Sequence, residues 1–180
     1  MDEIQVLSAQ QLRAHGAQFI ALLQDAVDSG ASVGFLPPLA EADARAYWMS
    51  VAAGVAGGTH LVLAAVVGGV VQGTVQLALA AMPNARHRAE VMKLLVHRAV
   101  RRRGIGRALM LAVERAARGA GRTLLVLDTR PGDAAERLYA SLGYVRVGII
   151  PGYAQAASGP LADTVVMYRH LDSHADPGPQ

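Results

Sequence analysis

The 180-residue chain contains no cysteine, only eight aromatic residues and a charged fraction of 17%. The missing cysteine excludes a disulfide scaffold, a thiolate metal site and a cysteine nucleophile. With so few rings the core has to be filled by Ala, Val, Leu and Ile, and a hydrophobic content of 52% is ample for that. Apolar runs are broken by Gly, Gln or charge well short of the ~20 residues that a membrane-spanning helix needs. The beginning, Met1-Asp2-Glu3, is acidic and lacks the positive flank of a secretion signal, so a cytoplasmic protein is expected. His15, His60, His87, His97, His170 and His174 show no ligand spacing such as His-x-x-x-His, and no metal is expected. No Gly is followed by Lys-Ser or Lys-Thr, which removes the Walker phosphate loop.

What is present is unevenly spread. Eleven of the seventeen Lys and Arg residues fall between Arg86 and Arg122, against two acids, Glu90 and Glu114. That window carries +9 in a chain of net charge +3, so the remainder is acidic. Such a segment suits a local anionic ligand, phosphate above all, although a solvated basic helix face would look the same. Nucleic acid is the rival partner. It would call for aromatic side chains among the basic ones for base stacking, and between Arg86 and Arg122 there are none.

The length suits one domain over residues 1–172, with a frayed polar tail over 173–180. A short strand is expected over 4–7, then one helix from Ser8 to the stop at Ser29-Gly30. A loop follows, with Pro37 and Pro38 forbidding helix, and a second helix over 41–55. Gly68-Gly69 joins strands over 60–67 and 70–81 in a tight hairpin. Further strands are expected over 90–96, 123–127, 144–150 and 164–169, with helices over 104–120 and 133–142 between them. The class is mixed α/β around one largely antiparallel sheet flanked by helices.

The richest stretch runs from Val96 through Arg101, Arg102, Arg103, Gly104, Ile105 and Gly106 to Arg107. A strand ends, glycines follow and a helix begins, which presents free backbone N–H groups and the positive helix end to an anion. A dinucleotide fold competes, since Asp128 lies near the spacing of a ribose-binding acid. Leu109 stands where that fingerprint wants its third glycine, and an antiparallel hairpin comes first.

The run Arg101-x-x-Gly104-x-Gly106 between strand and helix resembles the acyl-CoA signature of the GNAT superfamily of N-acetyltransferases, and the element order resembles that family over nearly the whole chain. The resemblance implies a sheet splayed between 90–96 and 124–127, with acetyl-CoA as co-substrate in the opening. It implies that backbone around Leu95 and Val96 holds the pantetheine arm, and that Arg101 to Gly106, with Arg107, hold the pyrophosphate. Arg98 stands where family members often have proline, which either loosens the turn or adds a phosphate contact. The activity implied is acetyl transfer to the primary amine of a small molecule, with an amino-acid-like toxin or antibiotic as the expected acceptor. With no cysteine nucleophile, direct attack in a ternary complex is expected. A protein that senses acetyl-CoA without catalysis is a further alternative.

Such chemistry needs a base for the amine, donors for the oxyanion and an acid for the departing thiolate. Tyr139 is the candidate acid, matching a family tyrosine, although Ala135, Leu138, Tyr139 and Leu142 also form a helical apolar stripe. Glu90 and Asp128 are the candidate bases, with a surface partner and a turn residue as their plainer readings. A backbone N–H near Leu95 would serve the oxyanion. Ser32, Val33, Gly34 and Phe35 are expected to line the acceptor pocket, with Tyr153 opposite from a late loop. The family implies monomers or dimers, with a homodimer slightly favoured.

Overall fold

The computed structural model describes residues 3–171, and the tail expected to fray over 173–180 lies outside the described residues. The chain opens with strand β1 (Glu3–Leu7), followed by helices α1 (Ala9–Ala14), α2 (Gly16–Asp28) and α3 (Glu41–Ala56). Next come strands β2 (His60–Val67), β3 (Val70–Leu79) and β4 (Arg88–Val96), helix α4 (Ile105–Gly119) and strand β5 (Leu124–Thr129). Helix α5 (Ala134–Ser141) and the strands β6 (Val145–Gln155) and β7 (Leu161–His170) complete it.

All seven strands form one sheet in the order β1-β2-β3-β4-β5-β7-β6. Every neighbouring pair is antiparallel except β4 with β5, which are parallel. That pairing is short. It runs from Arg88 opposite Leu124 to Glu90 opposite Val126 and then stops, so the two strands part for the rest of their length. β4 beyond Glu90 remains paired to β3 on its other side, with Leu95 opposite Thr74 and Val96 opposite Gly73. One edge of β4 is thereby left open inside the sheet, which is the splay that the resemblance implies between 90–96 and 124–127.

Alternation along the strands sends apolar side chains to both faces. On one face Leu63, Val75, Leu77, Val91, Leu125 and Met167 pack under Leu109, Met110 and Val113 of α4. On the other, Val62, Ala64 and Leu95 pack under Phe19, Leu22 and Leu23 of α2 and Trp48 of α3. Gly68 and Gly69 both take positive φ, 58° and 80°, in the β2–β3 turn, as a primed hairpin requires.

The expected boundaries differ in several places. The first helix is two, broken at His15, because Gly16 weakens the helix there. Ser8 starts α1 with a reciprocal capping box to Gln11. β4 begins at Arg88 and β5 continues through Asp128 to Thr129. Strands β6 and β7 are both longer than expected, and Tyr153, placed in a loop by the sequence reading, lies in β6. β6 is an edge strand, so Pro151 leaves no ladder bond broken, and a register shift between Ile150 and Ala154 absorbs the Pro-Gly pair.

Candidate active site

The open edge of β4 leads into the start of α4. A short 3-10 turn (Arg98–Val100) and the residues after it bring the chain from one to the other. Gly104 occupies the N-cap position of α4 at φ 86°, with no side-chain cap, so the first N–H groups of a 15-residue helix are left to a ligand. Arg102 is also left-handed, at φ 65°. A Cβ on Gly106 would stand 3.4 Å from Leu138 Cδ2, an ordinary van der Waals contact, so α5 packs close to this position without closing it to a side chain. The Ile105 side chain is buried, and only its backbone is available to a ligand.

The arginines divide. The Arg101 guanidinium turns back, donating to the Val96 carbonyl at 3.0 Å and to Ser29 Oγ at 2.8 Å. The Arg98 guanidinium pairs with Asp25, and its backbone N–H donates to Asp25 Oδ2 at 3.0 Å. Arg98 therefore neither loosens the turn nor reaches for phosphate; it ties the turn to the end of α2. Burial pushes the Asp25 carboxyl up, but the hydrogen bonds from Arg98 and the charges of His97 and Arg98 outweigh it and hold it below its ordinary value. Arg107 donates to Ser141 Oγ at 3.3 Å. Arg102 and Arg103 are exposed and make no ion pair among the described residues.

Where β4 and β5 part, a cavity of about 360 Å³ opens. Its lining includes Ser32, Val33 and Gly34, then Glu90 and Lys93 from β4, Asp128 and Arg130 from the end of β5, Tyr139 from α5 and Tyr153 from β6. Five parts of the fold meet there. Asp128 accepts a hydrogen bond from Thr164 Oγ1 at 2.7 Å, which holds one carboxylate oxygen across the β5–β7 pair. Glu90 and Asp128 are both exposed to the cavity side of the fold. Tyr139 is 6% exposed, and burial, reinforced by the charge of Asp128, raises its phenol above the ordinary value, so it stays protonated at neutral pH. Tyr139 thus belongs to the core and to the cavity wall at once, and the two sequence readings of it do not compete.

Phe35 departs from the expected arrangement. It stacks edge-on against Tyr47 at 5.3 Å, and Tyr47 continues to Trp48 at 5.2 Å and Phe19 beyond it. The ring lines a neighbouring cavity of about 240 Å³ and anchors the 31–36 loop to α3. Half of the chain's eight aromatic residues are spent on this anchor. The segment Gly30-Ala31-Ser32-Val33-Gly34 has the Gly-x-Ser-x-Gly spacing of a nucleophile elbow. It joins two helices instead of a strand to a helix, and Ser32 hydrogen-bonds no histidine among the described residues. Acyl-enzyme chemistry at Ser32 therefore lacks both the turn and the base.

Lys93 and Arg130 were not picked out as site residues by the sequence reading. Their signal was weak, a lysine within a strand and an arginine before Pro131. No group of three or more His, Asp or Glu that could hold a metal occurs among the described residues.

The acetyltransferase (GNAT) family model matches residues 34–144, which carry both the splayed strands and the glycine turn. The chain belongs to the GNAT family. It is an N-acetyltransferase whose acetyl donor is acetyl-CoA. Solved structures carry the same fold over the whole length. An acetyltransferase structure from Salmonella typhimurium, described with its cofactor acetyl-CoA, is 22% identical with a TM-score of 0.77, covering 100% of this chain and 99% of that one. A ribosomal-protein-alanine N-acetyltransferase from Brucella melitensis is 24% identical, TM-score 0.76, covering 94% and 99%. A structure assigned as a phosphinothricin N-acetyltransferase is 20% identical, TM-score 0.77, covering 96% and 99%. The residues present fit acetyl-CoA: the unpaired edge of β4 leads through one short turn to a left-handed glycine and the uncapped N-terminus of α4.

Proposed function

We propose that this GNAT enzyme acetylates the primary amine of a small molecule by direct attack in a ternary complex, the acceptor being amino-acid-like, of the toxin or antibiotic kind. The observation that carries the reading is that Glu90, Asp128 and Tyr139, far apart in the chain, line one cavity at the mouth of the splayed strands. The acceptor class draws on Gly30 to Phe35, which resemble the corresponding segment of the tabtoxin resistance protein, an enzyme acting on a β-lactam toxin. The structural neighbour assigned to phosphinothricin points the same way. The whole of residues 1–172 serves as one acetyltransferase domain, working in the cytoplasm; no helix of the described residues is long and apolar enough to cross a membrane. Val145, Val147 and Ile149 leave apolar surface exposed along the edge strand β6, which suits a homodimer.

Acetyl-CoA supplies the activated acyl group when bound. Backbone N–H groups of Arg101 to Gly106 hold its pyrophosphate, helped by the side chains of Arg102, Arg103 and Arg107, while the open edge at Leu95 and Val96 lies along the pantetheine. Glu90 and Asp128 receive the acceptor ammonium as carboxylates and take up its proton through water. A backbone N–H at Leu95 faces the oxyanion. Tyr139 holds a proton at its phenolic oxygen and delivers it to the departing sulfur. Ser32, Val33 and Gly34, with Tyr153 opposite, position the acceptor, and Phe35 fixes their loop.

Steady-state kinetics with both substrates varied should give intersecting lines. Tyr139→Phe should lower kcat about 100-fold while leaving the acetyl-CoA dissociation constant within twofold. Parallel lines, or turnover unchanged in Tyr139→Phe, would remove the direct mechanism or the tyrosine from it.

A further inference from the structure

Among seventeen basic residues the chain has a single lysine, Lys93. It does not sit on the surface. At β4 the register with β3 slips, so that Lys93 and Leu94 together oppose Val75, and Lys93 takes a left-handed φ of 52°. A non-glycine residue held there is strained, and the strain is sustained by strand pairing on both sides. The bulge sends the side chain into the cavity, where Nζ lies 5.7 Å from the centre of the Tyr47 ring. Nζ also stands 3.5 Å from where a Cβ on Gly34 would be, directly beneath the acceptor loop. Among the described residues this ammonium has no hydrogen bond and no carboxylate within ion-pair distance.

Arg130 approaches the other end of the same loop. Its Nη2 donates to the Gly30 carbonyl at 3.3 Å, and its Nε is buried without a partner among the described residues. The cavity therefore mixes two under-partnered cations with the carboxylates of Glu90, Asp128 and Asp133. A simple alkylamine would engage the carboxylates alone and leave Lys93 Nζ and Arg130 Nε without a hydrogen-bond acceptor. Burial holds the Lys93 ammonium below its ordinary value, and the charges of Asp128 and Glu90 only partly offset it.

We propose that Lys93, with Arg130, forms an oxyacid subsite that binds a carboxylate or phosphinate carried by the acceptor itself, so that the enzyme selects amines that are zwitterions. This rests on the acceptor reading of the cavity given above. Lys93 acts here as a specificity residue; it contacts the acid group, while the amine is handled by Glu90 and Asp128.

The single lysine makes the test direct. Protein grown with lysine labelled at Cε gives one lysine signal, which is followed by NMR in the presence of CoA during titration with L-methionine, L-methioninamide and L-phosphinothricin. The two acid-bearing probes are expected to move that signal and to bind roughly tenfold more tightly than the amide. In Lys93→Met the preference should fall to about one, with Lys93→Arg recovering part of it. Unaltered acetyl-CoA binding in both variants reports an intact fold. Equal binding of methionine and methioninamide, a preference that survives Lys93→Met, or a lysine signal that no acid-bearing probe moves would each overturn the proposal. Acetyl transfer to amines regardless of an acid group would overturn it while leaving the transferase mechanism standing. Acid-bearing probes that bind at Lys93 yet are never acetylated, alongside amines that are equally inert, would support the subsite and sink the acceptor reading.

Discussion

The glycine turn before α4 and the acceptor cavity lie side by side, yet they are built on opposite plans. The turn is one contiguous stretch, Val96 to Arg107, that works mainly through backbone N–H groups freed by Gly104 at φ 86°. The cavity is assembled from side chains on five parts of the fold: the 31–34 loop, β4, the end of β5, α5 and β6. A backbone site tolerates many side chains but few changes of conformation. A side-chain site behaves in the reverse way, since each wall is replaceable without disturbing the rest. The comparison teaches that donor recognition should break as a unit, whereas acceptor recognition should erode residue by residue.

The largest effect should follow from attacking the backbone plan. Gly104→Asp forces a side chain into the left-handed region, at about 1–2 kcal/mol, and puts a carboxylate where phosphate belongs. Acetyl-CoA affinity by titration calorimetry should fall at least ~100-fold, with thermal stability changed far less than binding. An affinity within a few-fold of the unaltered protein would mean that the turn does not hold the donor.

Asp25 sharpens the comparison because it connects the two regions. It sits near the end of α2, which leads into the acceptor loop, and it grips Arg98 in the turn leading to α4. Asp25→Ala should weaken acetyl-CoA binding and acceptor kcat/KM together, each by about fivefold, a coupled loss that neither site alone would produce. Its carboxyl is held below the ordinary value of 3.8, so the stability it contributes is present above that pH and is lost as pH falls through the lower folded value. The difference in melting temperature between the unaltered protein and Asp25→Ala should accordingly be full at pH 7 and shrink toward pH 3. A difference that grew on acidification would contradict the sign.

Tyr153 should give the smallest effect. Its side chain is 55% exposed, and its hydroxyl makes no hydrogen bond among the described residues. Tyr153→Phe is expected to leave kcat/KM within about twofold, since it keeps the ring and removes a hydroxyl that makes no hydrogen bond among the described residues. A tenfold loss would make the hydroxyl a specific acceptor contact and shift the cavity's polar wall toward β6.

Legibility in the sequence followed the same division. Arg101, Gly104 and Gly106 could be read because a strand end, two glycines and a helix start are neighbours in the chain. Glu90, Asp128 and Tyr139 could be picked out as candidates only with the help of a family resemblance, because nothing local says that they meet. Lys93 reads in the sequence as a surface partner of Glu90, since a lone lysine in a strand ordinarily faces solvent; the register slip against β3 turns it inward. Arg98 illustrates the reverse error. In sequence it belongs to the basic run, but Asp25, 73 residues earlier, takes its charge. Tyr153 was read as a loop residue because Pro151-Gly152 normally ends a strand, and an edge position with a bulge is the exception that the sequence does not mark.

Hydrophobic period, glycine placement and capping chemistry act over a few residues, so the chain by itself determined most of its elements, the β2–β3 hairpin and the uncapped, glycine-led start of α4. Whether β4 and β5 stay paired or part after Glu90, and which side chains then face one another across the gap, depends on packing two cores against opposite faces of one sheet. Those contacts join residues up to a hundred positions apart, as Arg130 and Gly30 show. Charge and shape in the cavity were therefore decided only by the tertiary structure, because they arise from proximity that no local preference encodes.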